Sequence, residues 1–88
     1  MQNFADKTVF ITGGGSGVGL GIAKAFAKAG ANVAIGDIQE DRLTEAEQQL
    51  RELTDSMLSV NVDTTDIASL QSASDTIEAT LGPVSVLC

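Results

Sequence analysis

Four residues of the stretch TVFITGGGSGVGLGI (residues 8–22) carry the first chemical signal: Thr12, Gly13, Gly17 and Gly19, spaced T-G-x-x-x-G-x-G. Six of the nine glycines in the sequence lie between Gly13 and Gly21. Glycine is costly to order, so such a cluster needs a reason. Directly after a short apolar run and at the mouth of a helix, glycines allow a sharp turn and a close approach of backbone to ligand. The unsatisfied N–H groups and positive dipole end of the helix then favour a phosphate. Two acids have matching positions. Asp37 follows Gly19 by 18 residues, near the spacing of a carboxylate that accepts hydrogen bonds from ribose hydroxyls. Asp63 ends a third apolar run. The glycine loop and Asp37 together describe a nucleotide site built mainly from backbone amides and a carboxylate, with Asp63 at the same edge of the sheet.

Other phosphate-loop patterns fit less well. A P-loop requires Gly-Lys-Ser/Thr at the helix start, whereas the first lysine after the glycines is Lys24. No register of these glycines satisfies G-x-G-x-x-G. Gly15, Gly17 and Gly19 do spell G-x-G-x-G, as in many S-adenosylmethionine methyltransferases, but Gly13 stands where those proteins usually carry an acid. The simplest non-functional explanation is a tight strand-to-helix turn. For Asp37 it is a helix cap, since Asp37 and Glu40 have capping-box spacing. For Asp63 it is a turn or cap within DTTD.

Composition sets the bounds. The 88 residues suffice for one small domain, and 43% hydrophobic content can build a core of Val, Ile, Leu and Ala. A net charge of −7 disfavours nucleic acid and anionic membrane as partners. No apolar run approaches the length of a membrane span. With Cys88 as the one cysteine, no internal disulfide can form, which fits a reducing, cytoplasmic setting. His, Tyr and Trp are absent, so these residues contain no His-based triad, no His metal site and no catalytic Tyr.

The elements that must position these groups alternate regularly. Strands are expected at TVFIT (8–12), NVAIGD (32–37), MLSVNV (57–62) and VSVLC (84–88). Between them lie three helical patterns. The first places Val18, Ile22, Ala23, Phe26 and Ala27 on one face and stops at Gly30. The second runs from about Glu40 to Leu53 with an apolar stripe at 43, 46, 50 and 53. The third runs from about Asp66 to Leu81 with Ile67, Leu70, Ile77 and Leu81 on one face, and ends at Gly82 and Pro83. This βαβαβαβ order predicts an α/β fold, a partial Rossmann fold spanning residues 1–88, with right-handed crossovers and a parallel sheet of order 3-2-1-4.

The quoted residues resemble the cofactor-binding part of the short-chain dehydrogenase/reductase family. TGGGSGVG after FADKTVFI is similar to its cofactor loop, VAIGD to its ribose-binding strand end, VDTTD (62–66) to its acidic segment after strand 3, and LGPVSVLC to its approach to strand 4. The likeness implies a dinucleotide held by Gly13, Ser16, Gly17, Val18 and Gly19, with Ser16 and the Val18 N–H on the pyrophosphate side. It also implies that Asp37 binds the adenosine ribose, that the Asp63 carboxylate receives the adenine amino group, and that the Thr64 backbone touches the ring. Thr12 is expected to stabilise the turn. An acid at 37, with Ile38 beside it and no Arg or Lys at 14–16, predicts NAD over NADP; Arg42 is the only nearby cation. The family's Tyr-x-x-x-Lys pair, its catalytic Ser and its Asn-Asn-Ala-Gly motif are not found in these residues. The expectation is therefore about the first third of an NAD-dependent alcohol or carbonyl oxidoreductase, truncated after strand 4 and not catalytic by itself. The alternative is a stand-alone adenine-nucleotide-binding or interaction module. An apolar fourth strand at an open edge predicts self-association.

Overall fold

The computed structural model describes residues 4–88. The chain folds as β1 (Thr8–Thr12), α1 (Gly17–Lys28), β2 (Asn32–Asp37), α2 (Glu40–Arg51), β3 (Met57–Asn61), α3 (Ile67–Leu81) and β4 (Val84–Leu87). The four strands form one sheet of order β3-β2-β1-β4, and every neighbouring pair is parallel. The expected α/β class and 3-2-1-4 order are both present.

Alternation along the central strands divides the core in two. Val9 and Ile11 of β1 and Val33 and Ile35 of β2 point to the face covered by α1 and α2, where they meet Ala23, Ala27, Leu43, Ala46 and Leu50. Phe10 and Ala34 point the other way, to Ala73 and Ile77 of α3 and to Val62. That second face carries one helix, and beside β4 it leaves an apolar hollow of about 260 Å³ between Phe10, Ile67, Leu70, Val84 and Leu87. Thr8 is buried at the floor of the sheet, where its hydroxyl donates to the Leu81 carbonyl at 3.1 Å and ties β1 to the end of α3.

All three helices are rotated or trimmed relative to the apolar pattern. In α1 the buried residues are Gly19, Ala23 and Ala27, while Val18 is 77% and Ile22 38% exposed. The tightest contact sets this rotation: a Cβ on Gly19 would stand 2.2 Å from the Gly13 carbonyl oxygen, so only the glycine can face the loop. Val18 and Ile22 are turned outward as a consequence, while Leu20 packs against the core. In α3 the expected Ile67 lies in the first turn, 84% exposed, and the small Ala73 takes its place in the buried row. Helix α2 stops at Arg51, so Leu53 falls beyond it and is 40% exposed. Helix α3 begins at an N-cap, Asp66, whose carboxylate accepts from the Ala68 and Ser69 N–H groups.

Candidate cofactor site

The residues singled out by spacing gather at the C-terminal ends of β1, β2 and β3. In open α/β sheets that edge holds ligands, at the point where strand order reverses. Here the reversal lies between β1 and β4, because β2 leads to one side of β1 and β4 lies on the other.

The loop after β1 is built around Gly13, whose φ of +69° starts the turn. Its carbonyl accepts from the Ser16 N–H at 3.0 Å and from the Ser16 hydroxyl at 2.7 Å. Ser16 is also the N-cap of α1, its oxygen accepting from the Gly19 N–H at 3.1 Å. Its hydroxyl is thus engaged within the loop and fixes the loop's shape. The first intrahelical bond is Leu20 N–H to the Ser16 carbonyl, 2.8 Å. The N–H groups of Gly17 and Val18 precede it and have no intrahelical acceptor by construction. The loop is tied to β2 by Gly14 N–H to the Gly36 carbonyl, 3.1 Å. Thr12 was expected to stabilise the turn; its hydroxyl and its N–H instead both donate to the Cys88 carbonyl at 3.0 Å, joining β1 to the chain beyond β4.

Asp37 closes β2 and is buried, with 8% exposure. Its Oδ1 accepts from the Gln39 N–H at 3.0 Å, while its Oδ2 lies on the side of Gly15. The capping-box alternative is not realised, since the N-cap of α2 is Gln39 and no side chain caps it. One carboxylate oxygen therefore holds the β2–α2 turn and the other faces the loop.

Asp63 sits just past β3. Its Oδ1 accepts from the Thr65 N–H at 2.9 Å and the Thr65 hydroxyl at 2.6 Å, and its own N–H donates to the Ser69 hydroxyl at 3.0 Å. The Thr65 hydroxyl, followed by the Thr65 N–H, holds the Asp63 carboxyl below its ordinary value of 3.8. A cleft of about 290 Å³ brings together Gly13, Asp37, Ile38, Val62, Asp63, Thr64 and Thr65. It contains four of the expected site residues: Gly13, Asp37, Asp63 and Thr64. Ser16, Gly17, Val18 and Gly19 lie instead at the mouth of α1, tied to the cleft residue Gly13 by the bonds from Ser16 to its carbonyl.

Sequence reasoning gave no cleft-lining role to three supporting residues. Ile38, 59% exposed, lines the cleft as an apolar wall, and Val62 and Thr65 complete it. An isoleucine directly after the acid that ends β2 was the available signal. Asn61 holds that wall, its side-chain amide donating to the Ile38 carbonyl at 3.1 Å. Among the described residues no cluster of His, Cys, Asp or Glu could hold a metal ion.

The arrangement of glycine loop, helix mouth, buried acid and second acid is matched at the level of families. The profile of the short chain dehydrogenase family matches residues 7–88. This chain belongs to the short-chain dehydrogenase/reductase family. That assignment removes the methyltransferase alternative. Among curated short-chain dehydrogenases, the chain is 45% identical over 86 residues to the short chain dehydrogenase/reductase dpmpG of Macrophomina phaseolina, covering 97% of this chain and 49% of that protein. Among solved structures, it superposes on a short chain dehydrogenase/reductase of Burkholderia phymatum, determined in complex with NAD, with a TM-score of 0.92 and 30% identity over 99% of this chain and 31% of that one. It also superposes on the L-sorbose reductase of Gluconobacter frateurii, complexed with NADPH and L-sorbose, with a TM-score of 0.89 and 34% identity over 97% and 33%. The chain thus spans about half to a third of the length of these short-chain dehydrogenases. Among the described residues no helix is long and apolar enough to cross a membrane.

Proposed function

We propose that this chain is the cofactor-holding part of an oxidoreductase that uses NAD in preference to NADP and acts on an alcohol or carbonyl substrate. The observation that carries the reading is the buried carboxylate of Asp37 at the end of β2, with Oδ2 turned to the glycine loop. Such a group accepts hydrogen bonds from ribose hydroxyls and repels a 2′-phosphate.

The residues fit a dinucleotide. A Cβ on Gly17 would meet no protein atom within 4 Å, and its φ is not positive, so neither packing nor backbone demands glycine there. Its bareness leaves the helix mouth open, where the Gly17 and Val18 N–H groups would hold a pyrophosphate against the dipole of α1. Gly13 and Gly19 let the loop and helix close to that distance, and Ser16 fixes the loop. Asp37 would orient the adenosine ribose. Asp63 would accept from the adenine amino group, with the Thr64 backbone and Ile38 beside the ring. The bound nicotinamide cofactor supplies or accepts hydride. The Tyr and His side chains that commonly serve as proton carriers are absent from these 88 residues, so their part is to bind and orient. A cytoplasmic setting accords with the single cysteine.

Titration calorimetry with NAD, NADP and AMP tests this. NAD should bind more tightly than NADP, and Asp37→Ala should weaken NAD and relax the discrimination about tenfold. An unchanged preference in that variant removes the ribose role. The second reading, an adenine-nucleotide module, is favoured by the way the cleft gathers the adenosine-side residues Asp37, Ile38, Asp63 and Thr64, with Gly13 as the one residue of the glycine loop in its lining. Equal affinity for AMP and NAD supports that reading against the first.

A further inference from the structure

The chain carries one cation, Arg42, whose stem packs against the glycine loop near Asp37 and which the reading above does not use. Gly15 is squeezed between two residues: a Cβ placed on it would stand 2.6 Å from Arg42 Cβ and 2.9 Å from Asp37 Oδ2. The stem of Arg42, in the first turn of α2, and the inward oxygen of Asp37 therefore approach the same point from two sides, with the glycine loop between them. From Cβ a guanidinium has two further methylenes and a nitrogen of reach, enough to bring its fork of donors over that corner. Its side chain is exposed, and the one ion pair among the described residues joins Arg51 to Glu47, not Arg42 to Asp37, Asp41 or Glu45. With that reach the corner offers two kinds of group: the carboxylate suits ribose hydroxyls, and the guanidinium suits a phosphate on the same sugar.

We propose that Arg42 is a second determinant of cofactor choice, a latent 2′-phosphate-binding residue opposed by Asp37. The inference rests on the assignment of the adenosine ribose to Asp37. In the native chain the Asp37 charge dominates because it is buried, whereas Arg42 is screened by solvent. With the carboxylate charge removed, the same corner becomes a site for a 2′-phosphorylated ribose without any new residue being added. No Arg or Lys occupies positions 14–16, so Arg42 supplies this charge alone. That solved relatives hold NAD in one case and NADPH in another fits a choice made by few side chains.

The test uses two small probes that differ at the ribose 2′ position, 5′-AMP and 2′,5′-ADP, titrated into the wild-type chain, Asp37→Asn, Arg42→Gln and the double variant. Asp37→Asn keeps an Oδ1 acceptor for the Gln39 N–H; Asp37→Ser is run beside it, and circular dichroism confirms the fold of each. The ratio of 2′,5′-ADP to 5′-AMP affinity should rise about tenfold or more in Asp37→Asn. It should fall back in the double variant, and the gain should shrink as salt is raised. Equal ratios in Asp37→Asn and the double variant overturn the role of Arg42 and leave the ribose assignment standing. Failure of the folded wild-type chain to bind NAD or either probe overturns the cofactor reading, and this inference with it.

Discussion

At the scale of single residues, two glycines of one motif have opposite reasons for being glycine. Gly19 is required by the protein, since a side chain there would collide with the backbone of Gly13. Gly17 faces open space. Gly19→Ala should therefore cost roughly 1–3 kcal/mol or more of stability, as overpacking against backbone does. Gly17→Ala should leave stability unchanged or raise it by up to about 1 kcal/mol, while nucleotide binding falls. Urea denaturation of the two variants, paired with NAD titration, separates the roles. A Gly17→Ala chain that binds as well as wild type removes Gly17 from the site.

At the scale of elements, each strand end delivers one group, and the turn that follows locks it. Asp37 is held by the Gln39 N–H, Asp63 by Thr65, and the α1 mouth by Ser16. The Asp63 turn has a pH signature. Its carboxyl is lowered in the folded chain, first by the Thr65 hydroxyl and then by the Thr65 N–H. A carboxylate with a depressed folded value stabilises the fold fully above its ordinary value of 3.8, and loses that contribution as pH falls below it through the folded value. Thr65→Val deletes the larger cause and keeps the backbone donor. The Asp63 carboxyl should then titrate closer to 3.8, as read by NMR of its side-chain carbon. No movement would mean that the hydroxyl bond is not made in solution.

At the scale of the whole molecule, charge and apolar surface are segregated. The acids crowd α2 and the β3 side, whereas residues 82–88, which lead into and form β4, carry no charged side chain. β4 is an edge strand, Leu87 is 67% exposed, and the apolar hollow beside α3 adjoins it. An open apolar edge invites strand pairing. We expect the chain to self-associate there, and Leu87→Lys to shift it toward monomer in sedimentation velocity by placing a charge on the edge. A wild-type chain that sediments as a monomer across the concentration range refutes this.

Most of the architecture was legible in the sequence because it is written in local patterns. β-branched runs, N-capping Ser and Asp residues, and stops at Gly30 and Gly82 mark the elements, and strand–helix alternation of this length admits few topologies. The glycine spacing, Asp37 and Asp63 were legible for the same reason, since each stands at an element end. Tertiary contact decided what local pattern could not. The rotation of α1 follows from the Gly19–Gly13 approach, not from Val18 and Ile22. The use of Asp37 Oδ1 in a turn, with Oδ2 left toward the loop, follows from the path of β2 into α2. The placement of Arg42 against Gly15 depends on packing between segments nearly thirty residues apart. Periodicity states which residues are apolar; only the closest backbone approach states which of them face inward.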